Sequence, residues 1–271
     1  MKIHFYKYQS AGNDFVVMDN RNNVIDHEAP ELTRFLCDRR FGIGADGTLF
    51  LQKHNGYDFE MVYYNADGKP SSMCGNGGRA IVAFAKRLGI IDHKTKFIAA
   101  DGSHHAQINS AGNLISLQMR DVESIVMDGD AYVLDTGSPH YVKLVDGLKK
   151  IDVNKDGAGI RNNSTYRESG INVNFVERAD DGFNVRTFER GVEAETYACG
   201  TGATAVALAM AMHNGKKGQI STRIKALGGD MWIHFDHSGD GFQNIYLEGN
   251  SVCVFEGDIE VDFEPNWDAL L

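Results

Sequence analysis

The sequence predicts an α+β protein of two pseudo-symmetric domains, each a mixed, curled β-sheet around a central buried helix. Three features lead to this prediction: an internal repeat, many short strand patterns with few helices, and two helical runs that lack a polar face. A repeat of this kind indicates one structural unit used twice, and a helix that is apolar on every side is usually buried.

The repeat is clearest around Cys74 and Cys199, which lie 125 positions apart and each begin a Cys-Gly-x-Gly string. The same offset relates Gly12 and Gly137, Phe50 and Phe175, Tyr63 and Phe188, Gly75 and Gly200, Gly77 and Gly202, and Ala80 and Ala205. We therefore expect a first domain, residues 1–125 with Cys74, and a second domain, residues 126–257 with Cys199. Whether the last strand, residues 258–271, returns to the first domain stays open at this point.

The elements of the first domain follow from alternation, turn residues and helix signals. Residues 2–8 alternate as a strand does, and Pro30 begins a helix in which Leu32, Phe35 and Leu36 share one face. Asn-Gly and Asp-Gly pairs mark turns between later strands, and a glycine ends the apolar helix. The predicted elements are strands at 2–8, 15–19, 48–51, 59–64, 96–100, 104–109 and 114–119, and helices at 30–40 and 80–88.

The second domain repeats this plan and adds strands. An Asp-Asp-Gly turn at 180–182 joins two strands, and the apolar helix stops at Asn214 and Gly215. The predicted elements are strands at 131–135, 140–145, 172–177, 183–188, 220–226, 230–236, 244–248, 251–255 and 258–263, and a helix at 203–212.

Composition limits the partners and the location. The chain has 271 residues, a formal net charge of −10 and a sequence pI near 5.4, which argues against broad binding to nucleic acid or to anionic membranes. Residues 1–6 do not resemble a signal peptide, no run approaches a membrane span, and the chain has only four cysteines. We therefore expect a cytoplasmic protein with free thiols.

Both motif cysteines stand at the predicted start of a buried helix. There the unpaired backbone N–H groups and the helix dipole favour an anion, and they lower the pKa of a thiol from about 8.5 towards neutrality. One such cysteine alone is more often a small buried apolar residue, whereas two with flanking glycines in a repeat favour a chemical role. Cys37 and Cys253 lack this context and are predicted to lie in the core.

Residues 189–191, the string Glu-Arg-Gly, end a strand shortly before the second motif. Arg190 offers a bidentate fork for a carboxylate and Glu189 an acceptor for an ammonium group, although a solvated strand end is the plainer interpretation. His140 is placed to assist proton handling. Further positions related by the repeat are expected to surround one cleft: Asn13 with Ser138, Gly47 with Asn172, and Tyr64-Asn65-Ala66 with Glu189-Arg190-Gly191.

The remaining motifs favour neither a cofactor nor a metal. Residues 42–47 match G-x-G-x-x-G, but a strand pattern follows where a dinucleotide site needs a helix. The histidine pairs at 104–105 and at 234 and 237 lack a partner cluster. No lysine-centred signature of a pyridoxal cofactor is present, so we expect catalysis without one.

The chain resembles the diaminopimelate epimerases over nearly its whole length. The resemblance rests on the strings GNDFVV (12–17), GIGADG (42–47), YNADG (64–68), CGNGGR (74–79), GSPH (137–140), NVNF (172–175), ERG (189–191) and CGTG (199–202). It implies cofactor-independent two-base epimerisation of LL-diaminopimelate to the meso form, in the synthesis of lysine and peptidoglycan precursors. It also implies two domains, each with strands around a central helix, and a homodimer.

Carried over to the matching positions, the resemblance implies that Cys74 and Cys199 are the acid/base pair, supported by Glu189 and His140. The implied substrate-binding residues are Asn13, Asn65, Gly75, Asn76, Asn172, Glu189, Arg190, Gly200 and Thr201, with the amides of Gly75, Asn76, Gly200 and Thr201 on the reacting carboxylate. The chain departs from the family pattern at three places: Ser138, where many members have Asn; Gly47, where some have Gln; and residues 192–196, a segment one residue longer than the common form.

Other functions remain as alternatives. The nearest is a related two-thiol racemase acting on proline, hydroxyproline or histidine; Asn76 argues against the proline type, which favours His there. Phenazine-type isomerases of this fold lack the two cysteines. A thiol–disulfide redox protein would be expected to carry C-x-x-C, which is absent, and a protein that only binds an amino acid would not need paired thiols.

Overall fold

A computed structural model of the chain describes residues 1–71, 73–239 and 241–261. Its contacts form two compact units. Unit 1 combines Met1–Ile115 with the described residues from Ser251 onward, and unit 2 is Ser116–Asn250. The sequence alone places these two division points at residues 125 and 257.

The described part of unit 1 contains strands of a mixed sheet and two α-helices. Its strands are β1 (Lys2–Ser10), β2 (Asn13–Asp19), β3 (Gly47–Gln52), β4 (Glu60–Asn65), β5 (Lys94–Ala99), β6 (Gly102–Ile108) and β17 (Val252–Glu260), and its helices are α1 (Pro30–Cys37) and α2 (Gly75–Arg87). Strand β7 (Leu114–Gln118) spans the first division point. Strand β1 pairs antiparallel with both β17 and β2, and β2 pairs parallel with β3.

Unit 2 repeats the central part of this arrangement. Its strands are β8 (Val126–Asp128), β9 (Ala131–Asp135), β10 (Pro139–Leu144), β11 (Asn172–Ala179), β12 (Gly182–Glu189), β13 (Ala194–Thr196), β14 (Gly218–Ala226), β15 (Gly229–His237) and β16 (Phe242–Asn250), and its helices are α3 (Val153–Arg161) and α4 (Gly200–His213). Strand β10 pairs antiparallel with β9 and parallel with β11, and β11 pairs antiparallel with β12.

One helix in each unit is buried along most of its length, as the sequence predicts. In α2 every residue from Gly75 to Ala85 is buried, and in α4 every residue from Gly202 to Ala211 is buried. Helix α2 packs against β1, β2 and β3, while α4 packs against β10, β11, β14 and β15. This gives the predicted α+β architecture. No helix in the described ranges is both long and apolar enough to cross a membrane.

Strand register reproduces the repeat at the start of each unit. The parallel pair β2 and β3 sets Phe15 opposite Gly47, and the parallel pair β10 and β11 sets His140 opposite Asn172. Both residues of the second pair lie 125 positions after their counterparts. Strand pairing therefore makes Phe15 the counterpart of His140 and Gly47 the counterpart of Asn172, as the sequence offset predicts.

The next strand pair shifts the register by one residue. Thr48 lies opposite Tyr64, whereas Val173 lies opposite Phe188. The structural counterpart of Phe188 is therefore Tyr64, and the predicted pairing of Tyr63 with Phe188 is wrong by one residue.

The last strand differs from its prediction. Residues 251–255 and 258–263 were expected to form two strands, but a single strand β17 runs from Val252 to Glu260. Gly257 continues the ladder opposite Phe5 and lies against its ring, so this glycine does not break the strand. Residues 252–260 pair with β1 of unit 1, and residues 262–271 of the predicted returning segment lie outside the described residues. Cys253, predicted to be in the core, is only half-buried because β17 exposes much of its length.

Candidate active site

Cys74 is the N-cap residue of α2. Its backbone is extended, and its Sγ accepts a hydrogen bond from the backbone N–H of Gly77 at 3.2 Å. A Cβ at Gly77 would stand 3.3 Å from that sulfur and 3.2 Å from Met61 Cε. The glycine thus allows the first turn to close on the thiol, and the helix end favours negative charge there.

Arg79 is a buried cation one turn into the same helix. Its guanidinium, which has no measurable exposure, donates to the backbone oxygen of Gly75 at 3.2 Å and to Oδ1 of Asn76 at 2.8 Å. Its Nε has no hydrogen-bond partner within the described residues. Burial lowers the pKa of Arg79 to about 10, against an opposing effect of Cys74. Apart from its place in the CGNGGR string, no sequence pattern pointed to a role for Arg79.

The Asn76 amide connects α2 to the first residue of β2. With its oxygen held by Arg79, its Nδ2 donates to Oδ1 of Asn13 at 3.2 Å, and Asn13 in turn donates to Asp46 at 2.6 Å. The structure therefore brings Asn13, Asn76 and Cys74 together at one end of the helix. Asn65, at the end of β4, is exposed.

Cys199 is the N-cap residue of α4 and has a side-chain hydroxyl beside it. Its Sγ lies 3.3 Å from Oγ1 of Thr201, and that hydroxyl lies 2.9 Å from Nε2 of His140. His140 is fully buried on β10. Burial, with a further effect of Arg190, lowers the pKa of His140 to about 3, so the ring is neutral at physiological pH.

Asn172 ties β11 to Arg190. Its Nδ2 donates to Oγ of Ser138 and to the backbone oxygen of Pro139, at 2.9 and 3.1 Å, and its Oδ1 accepts from the backbone N–H of Arg190 at 2.9 Å. The Arg190 guanidinium donates to the Ser169 carbonyl at 2.9 Å. Ser138 therefore accepts a hydrogen bond from within the protein. Arg190 is held in place through both its backbone N–H and its guanidinium.

Three further positions singled out from the sequence are Glu189, Gly47 and the segment after Arg190. Oε2 of Glu189 accepts from the Thr196 hydroxyl at 3.0 Å. A Cβ at Gly47 would stand 2.6 Å from both the Tyr63 ring and the Tyr64 carbonyl, so this position has no room for a side chain. The longer segment after Arg190 includes Glu193, whose φ of 57° is in the left-handed region.

Comparison with known proteins gives the family. The family model described as "Diaminopimelate epimerase" matches residues 5–134 and again residues 132–254. The chain belongs to the diaminopimelate epimerase family. The two matches together cover both repeats, and the family resemblance drawn from the sequence is confirmed.

Curated relatives of this family member cover nearly all of it. A diaminopimelate epimerase of Flavobacterium psychrophilum is 49% identical over 94% of this chain and 99% of the relative. One of Chlorobaculum tepidum is 41% identical over 92% of this chain and 98% of the relative.

Solved structures share the fold at low identity. A phenazine biosynthesis protein of the PhzF family from Bacillus anthracis has a TM-score of 0.75 at 15% identity, covering 96% of this chain and all of that chain. A hydroxyproline epimerase from Agrobacterium vitis has a TM-score of 0.70 at 14% identity, covering 97% and 93%. These similarities confirm the predicted two-domain α+β fold.

Proposed function

We propose that this chain epimerises LL-diaminopimelate to meso-diaminopimelate without a cofactor, with Cys74 and Cys199 as the two acid/base groups. The observation that carries the proposal is that each thiol caps a buried helix in one of two repeated units. Family membership supports the substrate. We further propose a cytoplasmic homodimer that supplies precursors of lysine and peptidoglycan.

Epimerisation at an α-carbon needs one group to remove the proton and another to return a proton on the opposite face. In one direction a thiolate takes the α-proton and becomes a thiol, while the other thiol gives its proton to the carbanion and becomes a thiolate. The reverse direction exchanges the roles, so the free enzyme carries one thiolate and one thiol. Such a pair titrates in two macroscopic steps.

The carbanion needs stabilisation, because an amino-acid α-proton is weakly acidic. We assign this task to the first-turn amides of Gly75, Asn76, Gly200 and Thr201, acting on the α-carboxylate. Donors fixed at a helix start stabilise charge that grows in the transition state, and they need little reorganisation to do so. Glu189 and His140 support this reacting centre. Asn13, Asn65, Asn172 and Arg190 bind the other polar groups of the substrate.

Incubation with LL-diaminopimelate in deuterated water tests the proposal directly. We expect deuterium at the α-carbon together with formation of the meso isomer. Proline, hydroxyproline and histidine in parallel reactions separate the related racemases. Deuteration of one of these, with none of diaminopimelate, would contradict the assigned substrate.

Variants of the two thiols test the mechanism. Cys74→Ala and Cys199→Ala should each lower epimerase turnover by at least ~10³, within the range for one positioned acid or base. Cys253→Ser, a half-buried thiol of β17 outside the motifs, is the matched control and should keep its turnover. Near-normal turnover in either alanine variant would exclude the two-base mechanism.

A further inference from the structure

The thiol of Cys199 stands at the end of a buried hydrogen-bond chain that begins at Asn174. Asn174 lies on β11 with no exposed surface, and its Nδ2 is 3.1 Å from Nδ1 of His140. His140 contacts Thr201, and Thr201 contacts Cys199. The chain joins four side chains from two strands and the start of a helix.

The orientation of the Asn174 amide is fixed by its other partners. Its Nδ2 also lies 3.1 Å from the carbonyl oxygen of Tyr141, which can only accept, and its Oδ1 accepts from the Thr187 hydroxyl at 3.0 Å. A flipped amide would set two acceptor oxygens against each other at Tyr141. The NH₂ group therefore faces both Tyr141 and His140.

This orientation determines which nitrogen of His140 carries the proton. An amide NH₂ can only donate, so Nδ1 of the ring must accept and is unprotonated. In a neutral imidazole the proton then resides on Nε2 and is donated to Oγ1 of Thr201 at 2.9 Å. Because that oxygen accepts from His140, the hydroxyl hydrogen of Thr201 is left to point at Sγ of Cys199, 3.3 Å away.

Unit 1 has a different set of residues at the corresponding positions. The counterparts of His140 and Asn174, 125 positions earlier, are Phe15 and Leu49. Neither side chain can form a hydrogen bond, so these two positions of unit 1 provide no counterpart of the contact between His140 and Asn174. The two repeated units thus differ in the side chains that stand at these positions near the motif cysteine.

Gly202 shows the same difference between the two units, because it leaves space for the Asn174 side chain. A Cβ at Gly202 would stand 2.6 Å from Oδ1 of Asn174, whereas a Cβ at Gly77 of unit 1 would meet Leu49 at 3.6 Å. The second glycine of the Cys-Gly-x-Gly string in unit 2 therefore leaves room for this amide.

We infer that Asn174 is a positioning residue for the acid/base thiol of Cys199: it holds His140 as the Nε2-protonated neutral ring, which directs the Thr201 hydroxyl hydrogen to the sulfur. A hydrogen bond to the charged form of a group favours that form, so the chain stabilises a thiolate on Cys199. The inference rests on the proposed function in taking Cys199 as an acid/base group.

Alkylation of the thiols tests this without any substrate. The full-length protein is treated with iodoacetamide at one pH, and modification of Cys199 and Cys74 is followed separately by peptide mass spectrometry; only the thiolate reacts appreciably. Asn174→Leu, which introduces the residue that unit 1 has, and Thr201→Val should each slow alkylation of Cys199 by about tenfold or more, the effect of one hydrogen bond to a charged group. Thr201→Ser should restore the wild-type rate.

Thr204→Val is the matched control. Thr204 is buried on the same helix, and its hydroxyl bonds the Gly200 carbonyl at 3.0 Å, outside the chain described above. This variant should leave the alkylation rate unchanged. In α-deuteration assays, Asn174→Leu and Thr201→Val should lower kcat far more than they raise KM.

Nitrogen NMR of ¹⁵N-histidine-labelled protein reads the ring directly, with the His140 signals assigned from a His140→Gln variant. We expect a neutral ring protonated on Nε2 in the wild type and loss of that single tautomer in Asn174→Leu. A proton on Nδ1 in the wild type, or wild-type alkylation of Cys199 in Thr201→Val, would overturn the inference. If Asn174→Leu does not fold, the wild-type NMR spectrum and the alkylation rate of Thr201→Val still test the inference. Failure of wild-type protein to turn over diaminopimelate would contradict the proposed function alone, since alkylation and NMR need no substrate.

Discussion

Asp14, next to the predicted substrate residue Asn13, is a carboxylate that two cations hold in its charged form. Lys7 Nζ lies 2.7 Å from its Oδ2, and Arg39 Nη2 lies 2.8 Å from its Oδ1. Burial alone would raise the pKa of Asp14, but hydrogen bonds from Arg39 and Lys7 lower it to about 2. The start of β2 is therefore held by a charge network that depends on pH.

Asp14→Asn should lower the free energy of unfolding at neutral pH by about 2 kcal/mol, after allowance for partial solvent screening. The folded pKa lies below the unfolded value of 3.8, so the stabilisation is present above that value and is lost as the pH falls through about 2. Urea unfolding of wild type and variant at a series of pH values checks this. The difference should shrink on acidification, and a difference independent of pH would contradict it. Asp258→Asn, an exposed carboxylate on β17, serves as the control with little change.

Arg190 is held in place yet lacks an acidic partner within the described residues. Its guanidinium contacts the Ser169 carbonyl and, at 3.4 Å, Oγ of Ser138. A Cβ at Gly170 would stand 2.5 Å from its Cδ, so this glycine gives the arginine stem its space. A preorganised guanidinium with donors to spare suits a carboxylate of the substrate.

We predict that Arg190 binds the distal carboxylate of diaminopimelate. Arg190→Ala should lower kcat/KM for diaminopimelate by the equivalent of about 2–5 kcal/mol, and Arg190→Lys should also weaken it because the bidentate fork is lost. The α-proton exchange of lysine, which lacks the distal carboxylate, should barely change. Equal losses for both substrates would mean that Arg190 serves the reacting centre or the fold. Arg178→Ala, an arginine of β11 that bonds Asn214, is the control.

At the scale of elements, α3 contains two glycines with different effects. One allows close packing against a strand, and the other only lowers the stability of the helix. Gly157 faces β12, where a Cβ would stand 2.4 Å from Cβ of Phe188, whereas a Cβ at Gly159 would meet nothing within 4 Å. Both glycines are interior to the same helix. Only the first is needed for close packing of the helix on the strand that ends at Glu189.

Gly157→Ala should therefore lower the free energy of unfolding by about 1–3 kcal/mol through overpacking. Gly159→Ala should raise it by about 0.5–1 kcal/mol, because alanine is the better helix former and reduces the freedom of the unfolded chain. The two variants control for each other in urea or thermal unfolding. Equal effects of both would contradict the packing argument.

The sequence predicted the two buried helices well, because an apolar run without a polar face is a strong signal. It set their starts at residues 80 and 203, whereas they begin at Gly75 and Gly200. Glycines disfavour helix by propensity, but here close packing and the cysteine caps outweigh propensity. Helix α3 was not predicted. Two glycines lower its helix propensity, although Asp152 caps it and Val153, Ala158 and Ile160 pack on the core of unit 2.

The candidate site was predictable where it follows motifs and unpredictable where it depends on packing between elements. Cys74 and Cys199 stand out by spacing, and both cap helices as expected. Asn174 had a weak signal, as a polar residue inside a buried strand that shares a face with Asn172. Its partner His140 comes from another strand and Thr201 from a helix, so only the folded backbone identifies the contact.

At the scale of the whole molecule, the four cysteines have different surroundings, from which we expect different reactivities. Burial raises the pKa of Cys37 to about 12, and burial also raises that of Cys253. Cys74 and Cys199 instead stand at helix N-termini, where a thiolate is favoured. Because oxidation proceeds through the thiolate, mild oxidants should act first on the motif pair.

We predict that mild oxidation inactivates the enzyme reversibly by linking Cys74 to Cys199. Under the proposed mechanism each thiol approaches the same carbon to about 3–3.5 Å, so we expect the two to be able to form a disulfide when no substrate separates them. Non-reducing peptide mapping should recover this link, a reductant should restore turnover, and bound substrate should slow inactivation. Cys253→Ser should be inactivated at the wild-type rate, because its thiol takes no part. Recovery of Cys37 or Cys253 as the main disulfide partner would contradict the prediction, and with it the placement of both thiols around one carbon.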